Sequence, residues 1–172
     1  MESWADFMDW AWARHHNEWS WYIRPLIILA FCLAAYLLSW VGVIFLALLF
    51  PVSAILFPAP EVIDPNIAKY RAQEKRLTEN ATLTEIMAFV GAVILFLSVL
   101  AAAFWKRNLW FGLLVANLGS LAKIVVNLWL WPEAGAAAIA PTIVTVVIFN
   151  SVVIALWVIY KNRASKNSRA QI

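Results

Sequence analysis

Long apolar runs separated by short polar breaks organise this chain, and the runs set the elements it predicts. From Ile23 to Leu56 almost every residue is apolar. One helix over that run would be roughly 50 Å long at about 1.5 Å per residue, more than a hydrocarbon core of ~30 Å holds. The run therefore breaks, and Ser39, Trp40, Val41, Gly42 is the best place for it. This predicts one spanning helix over 21–38 and a shorter one over 43–57, kinked at Pro51. Later runs predict spans over 83–105, 109–131 and 140–160. Thr82 and Glu85 have capping-box spacing at the start of the third span, Lys106 and Arg107 separate it from the fourth, and Pro141 opens the fifth.

Two further stretches are helical without spanning. In residues 1–20, Trp4, Phe7, Met8, Ala11 and Trp12 recur at helical spacing while Glu2, Asp6 and Asp9 hold the other face. That pattern predicts an amphipathic helix lying in the membrane interface. After the rigid exit at Pro58 and Pro60, Asp64 offers a cap and Pro65 a first helical position, predicting a surface helix over 64–80. Ile67, Tyr70 and Leu77 form its weak apolar stripe. Residues 1–172 thus read as one membrane domain, an all-α bundle of five transmembrane helices with a basic tail over 161–172. If the run from Ile23 to Leu56 supplies only one span, the count is four and the N-terminus changes side.

Composition agrees, because a chain 64% hydrophobic and 13% charged lies outside the range of soluble domains. Its runs are long rather than alternating, which fits helices and not a β-barrel. The net charge of +3 comes from basic residues flanking the runs, so lipid rather than nucleic acid is the partner it implies. Cys32 is the single cysteine, sits inside the first run and reads as a packed apolar thiol. Acidic residues precede the first apolar run, unlike a secretory signal, so the N-terminus is expected to be retained.

Tryptophan favours the headgroup level and marks helix ends. Trp19, Trp21, Trp129 and Trp131 mark one interface, and Trp40, Trp105, Trp110 and Trp157 the other. Lys161, Arg163, Lys166 and Arg169 place the tail in the cytoplasm, so the expectation is a bacterial inner membrane with the N-terminus outside. Lys69, Arg71, Lys75 and Arg76 then fall outside, against the rule.

The fourth span carries the candidate chemistry. At about 100° per residue, Gly112, Ala116, Ser120, Lys123 and Asn127 fall within an arc of about 80°. Lys123 lies roughly 12 Å below Trp131 by helical rise, too deep to reach water comfortably. An intramembrane lysine costs about 2.5 to 3.5 kcal/mol and needs a partner. Asn150 in the fifth span is expected at nearly the same depth, and Glu85 is the carboxylate within reach. Lys123, Asn127, Asn150 and Glu85, with Ser120 and Asn117, therefore form the candidate polar cluster. It reads either as a binding or conducting cavity or as hydrogen-bonded glue between helices.

His15, His16 and Arg24 are interface candidates for contact with lipid phosphate. Adjacent histidines on a helix diverge, so the pair alone closes no metal site. No HExxH, GxSxG, phosphate loop or CxxC occurs, and the sequence points to no cofactor. The run Trp21, Tyr22, Ile23, Arg24, Pro25, with the chain length and tryptophan content, loosely resembles the tryptophan-rich sensory proteins. The charged stretch from Lys69 to Arg76 departs from that family, and nothing is carried over from it. The readings that stand are a transport, channel or lipid-binding protein using the polar cluster, most readily built as a homo-oligomer, and a non-enzymatic accessory or assembly subunit of a heteromeric membrane complex. A lipid-modifying enzyme ranks behind both.

Overall fold

The computed structural model describes residues 3–63, 65–130 and 135–169, excepting the side chains at 4, 5, 66, 73, 76–79, 137–138 and 163–169. The expected roles of Asp64, Leu77, Trp131 and the basic side chains beyond Asn162 lie outside the described residues. Among those residues there is no strand. The α-helices are α1 Trp4–His15, α2 Trp19–Tyr36, α3 Trp40–Val52, α4 Pro65–Asn80, α5 Leu83–Trp105, α6 Leu109–Leu130 and α7 Ile139–Arg169, with a one-turn 3-10 helix Gly135–Ala138 before α7.

Four of them, α2, α5, α6 and α7 as far as Asn162, are long and apolar enough to cross a membrane. The chain is an all-helical membrane protein. The α3 helix has 13 residues, about 20 Å, and does not span as a helix by itself. Its bounds differ from the expected 43–57 for a local reason. Ser39 accepts the Gly42 N–H at 3.1 Å, so the helix starts at the serine cap and not at the glycine. At its far end Pro51 lacks an N–H and Ser53 Oγ donates to the Phe50 carbonyl at 2.6 Å, so the helix stops there rather than kinking and continuing.

The turns after α2 and α5 are built alike. Leu38 and Arg107 adopt left-handed backbone with φ of 60° and 55°. Behind them the N–H groups of Ser39 and Asn108 reach the carbonyls of Ala34 and Ala103, at 2.9 and 3.1 Å. Both closures satisfy carbonyls that a helix end would otherwise leave bare. Asn108 then caps α6 by accepting the Phe111 N–H at 3.0 Å, as Ser39 caps α3.

The two turns share one end of the bundle. Trp40 and Trp105 have ring centroids 4.4 Å apart, Trp110 and Trp157 5.6 Å. The opposite end carries α1, α4 and the 3-10 helix. There Asn17 Nδ2 donates to the Pro58 carbonyl at 2.9 Å and Arg14 donates to Phe57 at 3.4 Å. The chain that leaves at Asn17 has therefore returned to the same level by Pro58, with α3 and residues 53–58 together retracing the length of α2.

In the interior α2 touches α3, α5 and α7, while α6 fills the space between α5 and α7. Phe31, Cys32, Ala35, Val43, Leu100, Phe104, Leu113, Phe149 and Val153 form the core, with a contribution from each of these five helices. In lipid this packing stabilises through dispersion contacts rather than through removal of apolar surface from water. Gly112 makes it possible, since a Cβ there would stand 2.5 Å from the Phe104 ring. The core sits toward the turn end. Along residues 83–95 of α5 nearly every side chain is exposed, and from Phe96 onward one face of the helix is packed, through Phe96, Leu97, Leu100, Ala103 and Phe104.

Candidate functional site

The register of α6 against α7 decides which polar groups meet. Asn117 and Asn150 pair at the same spacing from the Trp110–Trp157 contact, seven residues along each helix. Carried onward, that register sets Lys123 level with Val144, beside Thr145. The expected equal depth of Asn150 and Lys123 is corrected accordingly. Asn117 and Asn150 satisfy each other, and each gives its second amide proton to its own helix, to the Leu113 and Val146 carbonyls at 2.7 Å. Ser120 likewise donates to the Ala116 carbonyl at 2.9 Å.

A cavity of about 140 Å³ opens beside this pair, between Ile28 of α2, Phe96 of α5, Phe149 of α7 and the Lys123, Ser120 and Asn117 face of α6. Its walls are mostly apolar. Lys123 is among the residues that line it and is itself exposed. Among the described residues no carboxylate forms an ion pair with this ammonium.

Glu85 does not join the cluster. Its carboxylate accepts the backbone N–H and the hydroxyl of Thr82, both at 2.8 Å, in the capping box its spacing predicts. A carboxylate that closes the helix start is held at the helix's own end and is not free to reach inward. Asn127 also turns elsewhere. It is 6% exposed, and its Oδ1 faces the Tyr70 hydroxyl of α4 at 3.5 Å.

That contact belongs to a second polar group, at the α4 end, which residue types alone did not reveal. Arg71, expected as a surface cation, is 2% exposed. Its Nη1 meets both Glu74 and His15 Nε2, and its guanidinium lies over the Trp21 ring at 5.1 Å. The ring of Tyr70 packs edge-on against Trp21 at 5.5 Å. The signal was present in the spacing, since Ile67, Tyr70, Arg71 and Glu74 follow the one-face helical repeat. The apolar stripe of Ile67 and Tyr70 thus runs through Arg71 and Glu74.

Of the interface candidates, His15 joins this group and His16 does not, since its Nδ1 lies 2.8 Å from the Trp12 carbonyl of its own helix. Arg24 approaches the Phe50 ring at 5.9 Å, and its Nε is buried without a partner among the described residues. Lys123 feels the charges of Arg24, Arg71 and Glu74 without contacting them in any hydrogen bond or ion pair among the described residues.

Burial would raise the Glu74 carboxyl, but His15 and Arg71 outweigh it and bring it down to about 2. Burial lowers the His15 ring below its usual value and favours the neutral imidazole, against the opposing pull of Glu74. Burial, with Glu74 nearby, pushes the Tyr70 hydroxyl up to about 12, so it stays a donor toward Asn127. Among the described residues no three metal-ligating side chains converge. No family model, curated protein or solved structure matches the chain.

Proposed function

We propose that this protein binds an anionic amphiphile from within the bilayer, with the acidic group near Lys123 and the apolar part against Phe96 and Phe149. The observation that carries this is the Lys123 ammonium on an otherwise largely apolar cavity wall with no described carboxylate paired to it. An intramembrane charge of that kind costs a few kcal/mol unless it is compensated, and an anionic ligand compensates it. The exposure of α5 up to Phe96 supports lateral entry from lipid, because among the described residues no other element covers the helix there. The Asn117–Asn150 pair, being satisfied, is glue in this reading rather than ligand contact.

The same reading takes the chain across the membrane five times, α3 and residues 53–58 together making the second crossing. It keeps the N-terminus outside and the basic C-terminal tail in the cytoplasm. The burial of Arg71 beside Glu74 supports this, since it removes one of the outer cations that stood against the orientation.

Native mass measurement in a mild detergent tests the proposal. The wild type retains an acidic lipid, while Lys123→Leu loses it and remains folded. Equal retention by the two, or none by the wild type, rejects the ligand reading. The bare first half of α5 supports a second reading, an accessory subunit in which a helix of another chain covers residues 83–95. A stable heteromer in the same measurement favours that one.

A further inference from the structure

Among the described residues, the α4 end of the bundle buries more hydrogen-bond donors than it supplies with acceptors. Arg71 uses Nη1 for Glu74 and His15, while Nε and Nη2 are buried with no partner. Those two atoms carry the parallel N–H bonds of one edge of the guanidinium, the edge by which arginine grips an oxyanion side-on. Around it, Trp21 Nε1, Arg24 Nε and Asn127 Nδ2 are also buried and unpartnered. His15 Nδ1 is buried and unpartnered as well.

These groups are neighbours. The Arg71 guanidinium covers the Trp21 ring, Asn127 faces Tyr70 at the adjacent position of α4, and Arg24 stands one turn from Trp21 on α2. A buried donor without an acceptor is destabilising, and more so when it is charged. Among the described residues, Glu74 is the one carboxylate whose charge acts on Lys123, against the cations Arg24 and Arg71. What would satisfy the set is therefore an anion that only accepts. A planar carboxylate is largely taken up by the side-on edge of a single arginine. Donors arriving from α2, α4 and α6 suit a tetrahedral group, whose oxygens point out of one plane.

We infer that the α4 end is a binding site for a phosphate group, gripped side-on by Arg71 and completed by Arg24, Asn127 and Trp21. The phosphate comes either from a phospholipid headgroup or from a soluble phosphate. The site rests on residues other than those of the Lys123 cavity.

The test uses the full chain in dodecyl maltoside without phosphate, following thermal unfolding by tryptophan fluorescence. The probes are phosphatidylglycerol in mixed micelles, inorganic phosphate, and acetate and chloride at matched ionic strength. A saturable rise in Tm with phosphatidylglycerol alone assigns a lipid headgroup, and a rise with inorganic phosphate as well assigns a soluble source. Arg71→Lys keeps a cation for Glu74 but lacks the fork, and weakens half-saturation by about tenfold or more. Trp21→Phe keeps the ring under Arg71 and removes one donor, weakening it about threefold or more. The second variant decides the matter if the first does not fold.

The site is overturned if neither phosphate probe gives a saturable rise, if acetate or chloride acts as well as phosphate, or if the variants bind like wild type. Lys123→Leu separates this site from the cavity. It leaves phosphate half-saturation unchanged within about threefold even if the cavity proposal fails, and a larger loss merges the two and overturns the separate site.

Discussion

Asn117 of α6 and Asn150 of α7 exchange two hydrogen bonds, Nδ2 to Oδ1 at 3.0 Å in one direction and 2.9 Å in the other. Each also donates to the carbonyl one turn back on its own helix, so both amide protons of both side chains are used. Interhelical hydrogen bonds in membranes contribute about 0.6 kcal/mol on average and up to about 1.7. Asn117→Leu or Asn150→Leu alone leaves a half-paired amide and costs about 1–2 kcal/mol. The double variant costs less than the two singles together, by about 0.5–1.5 kcal/mol, in reversible unfolding in mixed micelles. Strict additivity would show that the pair does not act as a unit.

Two glycines separate close approach from mere permissiveness. A Cβ on Gly135 would run into the Asn127 backbone carbonyl, which cannot swing aside, whereas one on Gly91 meets nothing within 4 Å. Gly135→Ala is expected to lower stability by about 1–3 kcal/mol. Gly91→Ala, in the middle of an exposed helix, raises it by about 0.5–1 kcal/mol. Equal effects in the same unfolding assay would mean that the 3-10 helix does not press on the end of α6.

Acid loosens α4 in two stages. His15 titrates at 6.5 when unfolded but below that when folded, so the unfolded chain binds more protons and stability falls as the pH drops below 6.5. Glu74 is shifted from 4.5 to about 2, so its contribution is complete above 4.5 and is lost as the pH falls toward 2. Hydrogen exchange of the α4 amides as a function of pH measures both. Glu74→Gln removes the lower stage and leaves the upper, and an acid response of α4 identical to wild type would contradict the assignment.

Thiol labelling from one side of the membrane reads the number of crossings. In a Cys32→Ala background, cysteines at Leu37 and Lys106 react with an impermeant reagent from the cytoplasmic side, and cysteines at Ala59 and Asn80 from the outside. Leu37 and the residues around Lys106 are exposed in adjoining turns. Labelling of Leu37 and Ala59 from the same side would reduce the count to four.

Much of the helical frame is legible in the residue order. The break at Ser39 and the capping box of Thr82 with Glu85 follow from side chains that bond backbone within one turn. The two turn-end tryptophan pairs came from four residues whose common level was expected. The polar cluster was legible only in part. Lys123, Ser120, Asn117 and Asn150 do line one cavity, but Glu85 is bound to its own cap and Asn127 faces α4. Arg71 was missed because its type suggested water while its position on α4 lay on the inward face.

The residue order by itself determined what depends on near neighbours and on solvent: which runs prefer lipid, where caps and prolines end helices, and which side chains share one face. Tertiary structure alone decided the register of α6 on α7, and so that Asn150 meets Asn117 and not Lys123. It also decided that α4 lies with Arg71 against His15 and Trp21. Those outcomes depend on how far one helix slides and turns against another. That is set by packing between distant residues, such as the Phe104 ring on Gly112, which no local pattern encodes.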